Sequence, residues 1–394
     1  MPRSLTAAAR RAAARGAAAL LALGSAALGS AVLASAAPRL ARAQAVLKVN
    51  DTVSVRFGVL LQPWFDEQKD VVRDGYAQNL YLRRARFLVG GQVSKSFGFF
   101  LETDNPNLGR AQGAAGKVIS SGFILQDAFV TYTPRDEFSV QAGLMLPPFA
   151  RNALQSAAGL LPLDFSTYAF LNSGNTAENG VVGRDVGVQA KGVLFNKHLE
   201  YRGGLFQGAR QTPAAATGGA ATGLGSGNAF RVAGRLQLAL LDPEVVPFFY
   251  PGLYFGKRRM LNVGVSVDDQ QTLRTFAADV FFDHPAGPGA FTVQGDYFRR
   301  EGGSRFAAFP RQSDGYVEGG YYFAASRLMP FARYETQNFP AATASTIDQR
   351  RFQLGLGFFQ AAQNVNLKAA YSQVNPKTGP NANEFTVQLQ FFYY

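Results

Sequence analysis

Residues 276–283 read Phe276-Ala277-Ala278-Asp279-Val280-Phe281-Phe282-Asp283. Phe276, Ala278, Val280 and Phe282 recur at a period of two, and Asp279 and Asp283 lie on the opposite parity. Successive side chains of a strand point to opposite faces. The octet therefore predicts a strand with one apolar surface and one charged surface. The same pattern fills the chain beyond residue 50. Val53, Val55, Phe57, Val59 and Leu61 oppose Ser54, Arg56 and Gly58, while Val186, Val188 and Ala190 oppose Asp185, Gly187, Gln189 and Lys191. Phe230, Val232, Leu236 and Leu238 oppose Arg231, Arg235 and Gln237; Phe291, Val293 and Tyr297 oppose Gln294, Asp296 and Arg300. Val365, Leu367, Ala369 and Tyr371 oppose Asn366 and Lys368. No segment of this part of the chain has a helical period.

Sixteen strands are expected, near 52–61, 79–93, 96–104, 122–133, 137–145, 184–195, 198–208, 228–240, 258–268, 272–283, 289–300, 313–324, 327–338, 348–360, 363–373 and 384–394; eighteen is the alternative partition. Several even-to-odd connections are tight, among them Ser94-Lys95, Pro134-Arg135-Asp136, Asn196-Lys197, Ala325-Ser326 and Ala361-Ala362. Most odd-to-even connections are long: 62–78, 105–121, 146–183, 209–227, 301–312, 339–347 and 374–383. Segment 241–257 breaks the rule. It holds Pro247-Phe248-Phe249-Tyr250-Pro251 where a tight turn belongs, and it reads as an irregular connection.

A soluble sandwich also alternates. Three features favour a barrel in a membrane. An export segment precedes the strands, the face opposite the apolar one carries charge as a wet lumen requires, and the chain ends in an aromatic strand (Phe385, Val387, Leu389, Phe391, Tyr393). In lipid every backbone polar group must pair within the protein, so a sheet must close on itself. The fold class is therefore all-β: a transmembrane antiparallel barrel of about sixteen strands with long external loops.

The chain's 394 residues, with 13% aromatics, 42 glycines and no cysteine, suit strands joined by glycine-containing turns. They exclude a disulfide scaffold, a thiol nucleophile and a thiolate metal site. Residues 1–43 read as a signal peptide and 44–394 as the barrel domain. Arg3, Arg10, Arg11 and Arg15 precede an uncharged Ala/Leu/Gly/Ser run over 16–37, with small-residue cleavage sites at Ala34-Ser35-Ala36 or Ala41-Arg42-Ala43. Cleavage after Ala43 places Gln44 just ahead of the first strand. A permanent anchor is the rival reading, weakened by the many Ala and Gly residues. Residues 1–43 hold six arginines and no acid, so the net charge falls from +12 to +6 when they are removed. The remainder favours anions mildly and does not suggest nucleic acid.

Leu82-Arg83-Arg84-Ala85-Arg86-Phe87, with Gly91 and Phe97-Gly98-Phe99, resembles the second and third strands of the phosphate-selective porins of the O/P type. Asp127-Ala128-Phe129-Val130 resembles the next strand. Val140-Gln141-Ala142-Gly143 with Pro147-Pro148-Phe149, then Gly183-Arg184-Asp185-Val186-Gly187-Val188, resemble the strands flanking that family's third loop. Similarity continues at Gly256-Lys257-Arg258-Arg259, Ala277-Ala278-Asp279-Val280-Phe281 and Pro330-Phe331-Ala332-Arg333-Tyr334-Glu335. The resemblance implies a sixteen-stranded homotrimeric outer-membrane channel, passing anions such as phosphate or polyphosphate, with its third loop folded inward. Independently, 146–183 is third in loop order and the longest. The final strand departs from the family's ending: its apolar set stops at Tyr393, with Tyr394 beyond.

Strand parity predicts an inward basic set of Arg56, Arg84, Arg86, Lys191, Arg231, Arg235, Arg258, Arg300, Arg333, Arg351 and Lys368. The inward acids are Asp127, Asp185, Asp279, Asp283, Asp296 and Glu335. Guanidinium forks hold oxyanions, but cross-strand pairing into a stiff lumenal network is the alternative for each residue. Arg84 and Arg86 stand out, sharing one face with no acid between them. Arg151 and Asp164 belong either at the constriction or on the wall as anchors of the third loop. Phe149, Phe165, Tyr168 and Phe170 read as loop packing, and Tyr81, Tyr132, Tyr201, Tyr297, Tyr322 and Tyr371 as interfacial girdle.

Catalytic signals are sparse. The two histidines, His198 and His284, fall in turns with no nucleophile motif. Glycine-rich 218–227 lacks the lysine and helix of a phosphate loop. No cofactor, metal site or enzymatic activity is implied. The expected partners are the lipid bilayer and small hydrophilic solutes, anions foremost. A plugged structural or adhesive barrel is the runner-up function, and an outer-membrane hydrolase comes third.

Overall fold

The structure, a computed structural model, describes residues 45–70, 75–111, 119, 122–170, 183–208, 229–302, 310–341 and 346–394. The expected signal segment and the glycine-rich 218–227 lie outside the described residues. The strands are β1 (Ala45–Lys48), β2 (Ser54–Lys69), β3 (Tyr76–Gln92), β4 (Phe97–Asp104), β5 (Ile124–Arg135), β6 (Phe138–Met145), β7 (Asp185–Leu194), β8 (Leu199–Phe206) and β9 (Arg231–Ala239). They continue as β10 (Met260–Gln270), β11 (Leu273–Ala286), β12 (Gly289–Glu301), β13 (Gln312–Phe323), β14 (Leu328–Asn338), β15 (Gln349–Phe358), β16 (Val365–Pro376) and β17 (Ala382–Tyr393). From β2 onward each strand pairs antiparallel with the next, and β17 returns to β2. Sixteen strands thus close the barrel, as the sequence predicts, and no strand in that ring is left as an edge.

The short β1 was not foreseen. It pairs Ala45 with Phe57 and Lys48 with Ser54, along the stretch of β2 beyond the last β17 contact at Val59. The first loop is also shorter than expected. β2 runs to Lys69 and β3 starts at Tyr76, so much of 62–78 is strand. Pro63 lies within β2. Lacking an N–H, it interrupts the ladder, and the register slips there: Gln62 pairs with Arg84 but Pro63 with Leu82.

Alternation is nearly unbroken in β9 and β10. Val232, Leu236, Leu238, Val263, Val265 and Val267 are exposed on the outer surface, while Arg231, Arg235, Gln237, Asn262, Ser266 and Asp268 are buried within the bore. An outer surface this apolar belongs in hydrocarbon. Of the expected girdle, Tyr132, Tyr297 and Tyr371 are exposed outside. Tyr81 and Tyr322 are corrections: Tyr81 packs on Trp64, and Tyr322 on Phe255 and Phe359, all inside the bore.

Candidate lumenal constriction

The bore is occupied by two chain segments. The first is loop 3, whose described part is 146–170. Loops inside a protein must find donors for their carbonyls, and here the wall supplies them. Lys368 Nζ donates to Leu160 O (2.6 Å) and Pro162 O (2.9 Å). Arg300 Nη2 donates to Tyr168 O (2.6 Å), and Arg333 to Asp164 O (2.9 Å) and Phe165 O (3.0 Å). Gln62 and Gln390 reach Ala157 O and Ala158 O. Loop 3 donates in return: Ser166 Oγ gives its proton to Glu335 (2.7 Å), and the backbone N–H of Asn152 donates to Asp296 (3.2 Å).

The second segment is the β9–β10 connection, 240–259, which turns into the bore. Tyr250 N donates to Leu154 O (2.9 Å) and Ser156 N to Tyr250 O (3.0 Å), so it pairs with loop 3 like a strand. The junction is locked by Arg151 and Glu244, both without solvent contact. Arg151 holds the carboxylate in a fork at 2.7 and 2.8 Å, and Tyr254 (2.5 Å), Asn262 (2.6 Å) and Gln237 (3.0 Å) donate to it as well. Burial pushes the Glu244 carboxyl up, but Arg151 and these donors outweigh it and hold it below its ordinary value. The Arg151 guanidinium also lies 3.9 Å from the Phe281 ring and 4.6 Å from Tyr250, and its pKa is held above the ordinary value: burial opposes its charge, and Glu244 restores it.

On either side of these segments the bore opens. Toward the long loops lies a vestibule of about 410 Å³. Seven arginines line it (Arg83, Arg84, Arg86, Arg110, Arg184, Arg333 and Arg351), against four carboxylates, Asp104, Asp164, Glu335 and Glu384. Toward the short turns a second vestibule of about 620 Å³ is lined by Arg56, Lys95, Arg135 and Lys191 with Asp136 and Glu200.

Most of the expected basic set is engaged by the protein itself. Arg84 reaches Asp164 (2.5 Å), and Arg86 reaches Glu102 (2.6 Å) and Asp104 (2.9 Å). No acid lies between Arg84 and Arg86 in β3, but neighbouring β4 and loop 3 supply carboxylates to both, the cross-strand pairing that was the alternative. Arg231 pairs with Asp268 (2.6 Å), Arg300 with Asp314 (2.5 Å), Arg333 with Glu318 (2.5 Å), Arg351 with Glu335 (3.6 Å) and Arg235 with Asp279. Lys191 donates to Val246 O and Pro247 O. Arg258, expected as the first residue of a strand over 258–268, precedes β10 and donates to Pro243 O. Arg56 is exposed, 5.5 Å from the Tyr394 ring. Arg151 is a buried wall anchor, away from the open bore. Asp164 borders the outer vestibule, its carboxyl 29% exposed and drawn well below the ordinary range: burial raises it, and Arg83 and Arg84 overcome that. Phe149 packs on Phe298, and Phe165 on Phe170. The His198 and His284 Nδ1 atoms each sit 2.7 Å from a backbone carbonyl, of Ala239 and Pro285.

Parity missed Arg83, Arg110 and Arg184. Arg83 is the bulged residue opposite Pro63, which turns it inward to Asp164 (2.9 Å); a proline inside a strand was the available signal. Arg110 stands on a loop segment, paired with Asp66, where period two says nothing; Arg184, on the outward parity of the expected strand 184–195, precedes β7 and pairs with Asp127. Glu244 and Tyr250 were hidden inside the connection read as irregular.

Residues 50–228 match the family described as "Phosphate-selective porin O and P". The resemblance read from the motifs is borne out there; those from Gly256 onward lie beyond the match. No curated protein matches the chain. Solved structures share the fold. An anion-selective porin from Comamonas acidovorans is 14% identical, with 86% of this chain and 100% of that one covered at a TM-score of 0.56. The outer membrane channel DcaP of Acinetobacter baumannii is 12% identical (88% and 99% covered, TM-score 0.54). OmpT, an outer membrane protein of Vibrio cholerae solved in trimer form, is 12% identical (87% and 100% covered, TM-score 0.52).

Proposed function

We propose that this chain is an outer-membrane diffusion porin, exported by a signal peptide over residues 1–43, that passes small hydrophilic solutes and favours anions of the phosphate class. The outer vestibule carries the reading, through those of its seven arginines whose side chains stay within reach of solvent. The fully buried pairs neutralise one another and act on a permeating ion weakly. Arg83, Arg110 and Arg351 differ, for their side chains remain 25%, 33% and 31% exposed. They offer donor forks that replace part of an oxyanion's hydration. Arg86 and Arg184 continue the path inward, and Lys95, Arg135 and Arg56 line the exit. A homotrimer is in keeping with the trimer form of the OmpT structure.

Single-channel recording in planar bilayers under a potassium chloride gradient tests this. The zero-current potential is expected to have the sign of chloride permeation, and to move toward cation selectivity in an Arg83→Gln, Arg110→Gln, Arg351→Gln variant. A cation-selective parent refutes the anion preference. The plugged-barrel reading draws on one observation, that the space inward of the outer vestibule narrows to about 20 Å³; a folded protein that never conducts would favour it.

A further inference from the structure

Inward of the outer vestibule, with which it shares Arg86, Phe165, Phe170 and Arg184, lies a seam of about 20 Å³. Its lining includes charged Arg86, Glu102 and Arg184 and apolar Leu60, Leu88, Phe249 and Phe392. Neighbouring residues of the β9–β10 connection face opposite sides of this partition. Phe249 lines the seam, and Phe248 lines the inner vestibule. The end of the chain does the same, with Phe392 on the seam and Tyr394 on the inner vestibule. One wall residue, Phe100, ties the parts together. Its ring centroid lies 5.1 Å from Phe248, 5.8 Å from Phe249, 5.8 Å from Tyr394 and 5.6 Å from Phe129. The wall makes room for Tyr394: a Cβ on Gly90 would fall 2.1 Å from its hydroxyl oxygen, and one on Gly58 2.6 Å from its ring.

We infer that this aromatic partition, with Phe248 and Phe249 as its leaf, is the specificity-determining barrier of the pore, limiting solute size and forcing ions to shed water. The inference rests on the porin reading and deepens it. Water between apolar walls loses hydrogen-bonding partners, so such constrictions resist wetting and the passage of hydrated ions. In the seam the polar side is an ion-paired one, Arg86 with Glu102 and Arg184 with Asp127, so it offsets little of the hydration an ion sheds. The leaf is held in place on both sides. Lys191 Nζ donates to Val246 O (3.3 Å), Arg202 Nη1 to Phe248 O (3.2 Å), and Pro247 and Pro251 restrict the backbone at either end. It is a fixed partition and not a swinging lid. It also gives a role to the residue beyond the last strand's apolar set: Tyr394 turns into the bore while Phe391 stays outside.

The test compares single-channel conductance of the full-length mature protein with that of Phe248→Ala/Phe249→Ala, Phe248→Trp and, from the opposite wall, Phe100→Ala. Heat-modifiable gel mobility confirms folding in each case. Conductance is expected to rise several-fold in Phe248→Ala/Phe249→Ala and in Phe100→Ala, and to fall in Phe248→Trp. The sign of the zero-current potential should persist, because the outer arginines are untouched. Liposome swelling should admit sugars that the parent excludes. A conducting parent whose folded leaf variants keep its conductance and size limit overturns the inference and leaves the porin reading standing. A silent parent opened by the alanine variants supports the partition and overturns free diffusion through the native pore. Silence in every variant overturns both.

Discussion

Loop 3 and the β9–β10 connection enter the bore from opposite ends and are held there by different chemistry. Loop 3 is tied largely through its backbone carbonyls, which accept from Lys368, Arg300, Arg333, Gln62 and Gln390 of the wall. The connection is tied largely through side chains: Glu244 gathers five donors, and Tyr250 lies among Arg151, Arg202 and Arg235. An irregular segment in a narrow bore has carbonyls that water no longer serves, so the wall must serve them. Inward cations therefore hold the constriction together first and select ions second. Counting inward arginines overstates the charge a permeating ion meets.

The strongest way to break this contrast is at the point where the two segments lock. Replacing Glu244 with Ala leaves the Arg151 guanidinium buried without its carboxylate, a change that costs about 3–5 kcal/mol. Urea unfolding followed by Trp64 fluorescence should show the loss. An Arg151→Met/Glu244→Met variant should recover much of it, because both charges leave together. A Glu244→Ala cost under about 1 kcal/mol, the range of exposed pairs, would mean the segments are held independently.

A smaller effect is expected where their backbones cross. A Cβ on Gly252 would lie 2.4 Å from Gly159 O, and neither partner is a flexible side-chain end. Gly252→Ala should force the segments apart at a cost of about 1–3 kcal/mol, the usual range for overpacking. Because it leaves every charge in place, it should widen the seam and raise conductance without changing the sign of the zero-current potential. Unchanged conductance in a folded, measurably destabilised variant would place the limiting aperture away from this crossing.

The same contrast explains what the sequence made legible. Period-two patterning located all sixteen barrel strands to within a few residues, except around Pro63, because lipid outside and water inside impose opposite demands on alternate residues. Loop 3 was legible from its length and rank. The connection was not. Pro247-Phe248-Phe249-Tyr250-Pro251 looks like a failed strand, since an apolar run is equally at home on the outer wall and in an aromatic partition inside. Pairing was illegible for a similar reason. Arg86 meets Glu102 and Asp104 only through the β3–β4 register, and Arg84 meets Asp164 only because loop 3 returns some 80 residues later in the chain.

The mildest perturbation is acid, and it separates the two segments by exposure. Asp164 and Glu244 are both held below their ordinary values, the first after Arg83 and Arg84 overcome burial, the second after Arg151 does. A lowered folded pKa gives stability that is fully present above the unfolded value, about pH 4, and is lost as pH falls through the folded one. The contribution of these two carboxylates to conductance and selectivity should therefore stay flat from pH 8 to about 5 and change only below about 4. Glu244 has no solvent contact, so its protonation must loosen the junction itself. Asp164 is partly exposed, so its protonation can release the tip of loop 3 locally and leave Arg83 and Arg84 facing the vestibule without their carboxylate. Asp164→Asn should reproduce that state at neutral pH, with stronger anion selectivity and little change in unfolding. A selectivity transition centred above pH 5 that Asp164→Asn abolishes would contradict a carboxylate held by two guanidinium groups. Flat selectivity down to pH 3, with Asp164→Asn indistinguishable from the parent, would remove Asp164 from the path of the ion.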